Sequence, residues 1–140
     1  MSNVDSENPS DEKTDSSCRI LAVDDEPIVR SSITTYLKKN GFDVDEAEDG
    51  ESALARIHEF DPQIVLLDVL MPGITGNELL GTIKEWKPTI EVIMVTAVAR
   101  EELKAECLSL GAFAVLIKPV PPDILRTTIL KALEKIRQQP

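Results

Sequence analysis

No apolar run in this 140-residue chain approaches the ~20 residues that span a bilayer; runs such as Ile64–Leu67 fall far short. Membrane insertion is therefore not expected. Cysteine is scarce: Cys18 and Cys107 form neither a disulfide framework nor a zinc-ligand spacing, and both read as reduced thiols. Histidine occurs once. His58 lies beside Glu59 with no partner suggesting a metal or a catalytic triad, so it reads as a surface residue. Positive charge is in deficit, with 15 basic against 25 acidic residues and a formal net charge of −10. Such a field repels phosphate backbones, which argues against direct nucleic-acid binding. Residues 1–18 hold five acids, one lysine and no apolar h-region. They make neither a signal peptide nor a basic transit peptide, and the chain is expected in the cytoplasm.

What is there begins with that segment. Residues 1–17, MSNVDSENPSDEKTDSS, bury too little apolar surface to offset their ordering entropy and read as a disordered acidic tail. From residue 18 to 138 the pattern is of one domain, in which short apolar runs alternate with amphipathic stretches. Strands are expected at Ile20–Val23, Phe42–Ala47, Ile64–Leu67, Val92–Val95 and Ala114–Ile117. Four are almost wholly apolar, as when helices cover both faces of a parallel sheet; Phe42–Ala47 alternates and is expected at an edge. A helix follows each strand. The first stops at Asn40-Gly41, the second before Pro62 and the third, closed by Trp86, before Pro88; the fourth runs around Glu101–Leu110 and the fifth starts near Pro121. The fold class is thus α/β, a doubly wound (βα)5 unit whose five-stranded parallel sheet has the order 2-1-3-4-5.

In such sheets the working site lies at the carboxyl ends of the strands. The residues that follow the apolar runs are Asp24 and Asp25, Asp68, Thr96 and Lys118. Taken singly each has an ordinary explanation: a helix cap ahead of Pro27, a turn before Met71-Pro72-Gly73, a strand end, a solvated lysine. Together they place three carboxylates, a hydroxyl and an ammonium at one edge. Carboxylates so close repel one another unless a cation joins them, and hard oxygen ligands without His or Cys suit Mg²⁺. Asp68, on the middle strand, is then placed to attack a phosphoryl group, with Lys118 and Thr96 serving its oxygens.

The motifs LAVDDEP (21–27), VLLDVLMPGITG (65–76), VIMVTA (92–97) and GAFAVLIKP (111–119) resemble the signature of response-regulator receiver domains of two-component signalling. The resemblance covers roughly residues 18–138. It implies that Asp24 and Asp25 serve Mg²⁺, that Asp68 is the phosphorylated residue, and that the backbone carbonyl of Leu70 is a metal ligand. It further implies Thr96 as the switch hydroxyl, Lys118 as the phosphoryl-binding cation, a cis bond before Pro119, and Ala97 as a small residue that keeps the approach open. The implied partner is a histidine kinase or phosphotransfer protein, with an effector downstream. One position departs from the pattern. Where receivers commonly carry a Tyr or Phe that swings inward, this chain has Val115, and Phe113 lies two residues too early to replace it.

Two other functions compete. Aspartate-nucleophile phosphatases need a second acid two residues after the nucleophile, where this chain has Leu70. A pseudo-receiver scaffold would not require Asp24, Asp25, Asp68, Thr96 and Lys118 to be intact. Self-phosphorylation and self-dephosphorylation, rather than turnover of a substrate, are therefore expected. Nothing after Arg137 reads as an output domain, so the chain is either a stand-alone receiver or part of a longer regulator. The acidic stretch Asp43–Glu51 lacks EF-hand spacing and Gly73–Gly76 is too short for a P-loop.

Overall fold

The computed structural model describes residues 18–138, so the expected tail lies outside the described residues. Strands and helices alternate: β1 (Arg19–Val23), α1 (Pro27–Lys39), β2 (Asp43–Ala47), α2 (Gly50–Phe60), β3 (Ile64–Leu67), α3 (Gly76–Trp86), β4 (Glu91–Thr96), α4 (Glu101–Ser109), β5 (Ala114–Ile117) and α5 (Pro122–Arg137). Every strand pairing is parallel and the sheet order is β2-β1-β3-β4-β5. This is the order expected of a doubly wound sheet of this length.

Successive strand residues point to opposite faces, and helices cover both. Leu21, Val23, Val65, Leu67, Val92 and Met94 pack with Ala53 and Ile57 of α2, Leu79, Leu80 and Ile83 of α3, and Leu103 of α4. Ile20, Ile64, Leu66, Ile93 and Val95 pack with Leu37 of α1 and Leu125, Ile129 and Leu133 of α5. Each fully buried Leu, Ile or Val side chain contributes about 1.5–3 kcal/mol, so the central strands are the most firmly held backbone in the molecule. Their carboxyl ends inherit that rigidity. The alternating strand β2 lies at the edge as expected, with Val44 buried and Asp43 exposed.

The apolar pattern placed β4 one residue short at each end. Glu91 pairs in register with Ile64 and is buried, its carboxylate 3.1 Å from Lys135 Nζ of α5. An acid inside a strand breaks an apolar run, so only the tertiary ion pair shows why the strand starts there.

Helix α3 opens with a capping box between Thr75 and Glu78 and, after 11 residues, ends at Trp86. At 1.5 Å per residue that carries the indole roughly 16 Å along the helix from its start beside β3. Trp86 is 43% exposed, with Lys87 Nζ 5.2 Å from the ring centre. Its fluorescence is expected to respond weakly to a divalent cation bound at the carboxyl edge. Strong, saturable quenching lost in Asp25→Asn would contradict this placement.

Candidate functional site

Three strands end in the same local device. Asp24 Oδ1 accepts from the Glu26 N–H at 2.9 Å, Asp68 Oδ1 from the Leu70 N–H at 3.2 Å, and Thr96 Oγ1 from the Val98 N–H at 3.2 Å. A short polar side chain that binds the backbone two residues on is an ordinary turn former. The turn role and the site role therefore coexist, because each carboxylate keeps its second oxygen for the site. The helix-cap explanation of the acidic pair does not hold, since the N-cap of α1 is Glu26 and makes no side-chain cap bond. The sheet ladder continues one step past the strands: Asp24 N–H donates to Ala47 O, Asp68 N–H to Val23 O, and Lys118 N–H to Thr96 O.

Lys118 spans the edge. Its Nζ lies 2.7 Å from Asp24 Oδ2 and 3.0 Å from Asp68 Oδ2, with Glu26 Oε1 farther off at 3.7 Å. Asp24 and Asp68 are only 4% and 5% exposed. Burial alone would push the Lys118 ammonium down, but the hydrogen bonds and negative charges of Asp24 and Asp68 outweigh it and hold its pKa above the ordinary lysine value. Asp25 is exposed, yet one carboxylate oxygen from each of Asp24, Asp25 and Asp68 lies within 4.8 Å of the others. One ammonium against three carboxylates leaves the cluster negative. A donor set of hard oxygens, without His or Cys, fits a hard divalent cation.

The other expected residues are placed as follows. Thr96 is fully buried. Leu70 has its N–H on Asp68 while its side chain is mostly exposed, and Val98 is half-buried against the α2–α4 side of the core. Ala97 is exposed. The Lys118–Pro119 peptide is cis. Val115 packs into the α2–α4 side, whereas Phe113 packs on the α1–α5 side, so no ring stands at the position where receivers commonly carry one. His58 is exposed, and Asp49 of the acidic stretch caps α2 by accepting from the Ser52 N–H.

Sequence reasoning missed two supporting residues. Gly73–Gly76 was dismissed as a phosphate loop, but Gly76 opens α3 directly against the backbone of the central acid. A Cβ there would collide with the Asp68 carbonyl oxygen and sit 2.6 Å from Val69 Cα. Gly76→Ala is expected to cost about 1–3 kcal/mol and to displace Asp68; thermal unfolding with the wild-type midpoint would contradict that. A glycine at the start of a helix shows no such contact in one dimension. The second residue is Arg30, which donates to the Asp24 carbonyl.

Residues 20–130 match the response regulator receiver domain. A cyclic di-GMP phosphodiesterase of Thermotoga maritima is 39% identical over 114 residues, covering 81% of this chain and 30% of that protein. The chain thus spans less than a third of that relative. Among solved structures, a CheY-like response regulator receiver domain protein from Methanospirillum hungatei JF-1 superposes with a TM-score of 0.83 at 32% identity, over 86% of this chain and 97% of that one. The CheX–CheY–BeF3–Mg²⁺ complex from Borrelia burgdorferi gives 0.79 at 30% identity, over 83% and 89%.

Proposed function

Because this chain belongs to the response regulator receiver domain family, we propose that it takes a phosphoryl group onto Asp68 from the phosphohistidine of a histidine kinase or phosphotransfer protein, in a Mg²⁺-dependent reaction. The observation that carries this is the buried Asp24–Lys118–Asp68 bridge with Asp25 within 4.8 Å. Asp24, Asp25, Asp68 and the Leu70 carbonyl would hold the ion, which when bound offsets negative charge on the attacking carboxylate and the phosphoryl oxygens.

This chain's residues do the rest. The Asp68 carboxylate forms a bond to phosphorus as the bond from phosphorus to the donor imidazole breaks, and the imidazole departs with the electron pair. Lys118, already 3.0 Å from Asp68 Oδ2, pairs with a phosphoryl oxygen once one is there. Thr96 Oγ1 now accepts from Val98 N–H, so its own hydrogen remains to be donated to a second phosphoryl oxygen. Drawing Thr96 inward moves the loop that leads into α4, and that movement is the signal to a downstream effector. Val115 supplies no ring to swing with it. The product is a modified state of the chain itself, so the protein is a switch rather than an enzyme acting on a separate substrate. It acts in the cytoplasm and without touching nucleic acid itself. No helix among the described residues is long and apolar enough to cross a membrane.

The test is uptake from acetyl phosphate or phosphoramidate, read by intact mass. One phosphoryl group is expected with Mg²⁺ and none with a chelator. No uptake in either condition would leave a scaffold that never carries phosphate.

A further inference from the structure

Of the three clustered acids, Asp25 is the one whose carboxylate has no hydrogen bond or ion pair among the described residues. Its place in the cluster is therefore set by its backbone. The peptide that joins Asp24 to Asp25 is gripped by Arg30, whose Nη1 donates to the Asp24 carbonyl oxygen at 2.6 Å while its Nε donates to Glu46 Oε1 at 2.8 Å. The Arg30 side chain is only 16% exposed. It rises from the first turn of α1, where its own N–H is bound to Glu26 O. Glu46 lies on β2 opposite Ala22, one register step before Ala47, whose carbonyl accepts the Asp24 N–H. Both polar groups of the Asp24 backbone are thus tied to β2, the N–H directly and the carbonyl through the guanidinium fork.

We infer that Arg30 is a positioning residue for the metal ligands: by fixing the Asp24–Asp25 peptide between α1 and β2, it presents the Asp25 carboxylate to the cation. The inference rests on the Mg²⁺ site proposed above. Its sign separates it from simple electrostatics. A guanidinium beside three carboxylates repels a divalent cation, so removing it by charge alone would tighten Mg²⁺ binding. Removing a clamp on a ligand loosens it, and partners that orient metal ligands typically carry 10–100-fold in affinity.

Mg²⁺ titration calorimetry on the purified chain tests this with wild type, Arg30→Gln and Arg30→Lys, alongside amide hydrogen exchange. Arg30→Gln is expected to weaken Mg²⁺ by about tenfold, with faster exchange confined to the Asp25–Glu26 amides. Arg30→Lys keeps the charge but loses the fork that reaches two acceptors, and should fall between. Unchanged or tighter binding in Arg30→Gln overturns the clamp while leaving the Mg²⁺ site intact. A wild type that binds no Mg²⁺ removes the site and the clamp with it. Should Arg30→Gln not fold, Arg30→Lys decides: weakened binding supports the clamp and wild-type affinity overturns it.

Discussion

Asp68→Asn is expected to take up no phosphoryl group from acetyl phosphate or phosphoramidate at any Mg²⁺ concentration, and to stay folded. The amide has the shape of the carboxylate but no anionic oxygen to attack phosphorus. Its carbonyl can still accept from Leu70 N–H, as Asp68 Oδ1 does at 3.2 Å, and can still receive a hydrogen bond from Lys118. One of three mutually repelling charges is removed. Lys118, whose pKa the acids raise, retains Asp24 at 2.7 Å. Loss of uptake therefore comes without loss of stability, and a thermal midpoint at or above the wild-type value would separate missing chemistry from missing structure. Uptake at the wild-type level in Asp68→Asn would move the acceptor elsewhere.

The second large effect concerns how long the phosphorylated state lasts. Hydrolysis requires a water held in line with the leaving aspartate oxygen, and a polar side chain at the rim can hold it. The rim positions two residues beyond Asp68 and Thr96 are Leu70 and Val98, whose N–H groups bind those same residues. Their side chains offer water no hydrogen bond. Leu70 is 60% exposed, so it is free to lie over the phosphoryl group as an apolar cover. Slow self-dephosphorylation is expected, and Leu70→Asn with Val98→Glu should speed the decay at fixed Mg²⁺ by up to about a hundredfold. Decay that is unchanged or slower in the double variant would place the timer outside these two side chains, in a partner phosphatase or the donor kinase.

The fold was legible because a parallel sheet covered on both faces needs unbroken apolar strands, and Ile64–Leu67 and Ala114–Ile117 announce themselves with the bounds the structure gives them. The site was legible for a related reason. A polar residue that closes each such run, at Asp24, Asp68, Thr96 and Lys118, must emerge at one edge of the sheet whatever the details of the loops. What could not be read depends on contacts between distant elements. Arg30 looks like any charge on an amphipathic helix until Glu46, 16 positions away, braces it. Gly76 looks like a turn residue until α3 is laid on the Asp68 backbone. Glu91 argued against a strand until Lys135 came to meet it from α5. Asp24 and Asp25 were ambiguous between cap and ligand because both uses need an acid just ahead of Pro27, and only the Glu26 N-cap settles which applies.

The central claim is that the phosphoryl group rests on one named carboxylate. An acyl phosphate is reduced by borohydride to the alcohol, so an aspartyl phosphate becomes homoserine and marks its own position. The chain would be phosphorylated with acetyl phosphate and Mg²⁺, reduced, digested and sequenced by mass spectrometry. Homoserine at position 68, absent when Mg²⁺ is chelated, is the predicted result; homoserine at Asp24 or Asp25, or phosphate retained on a serine, threonine or His58, would contradict the account.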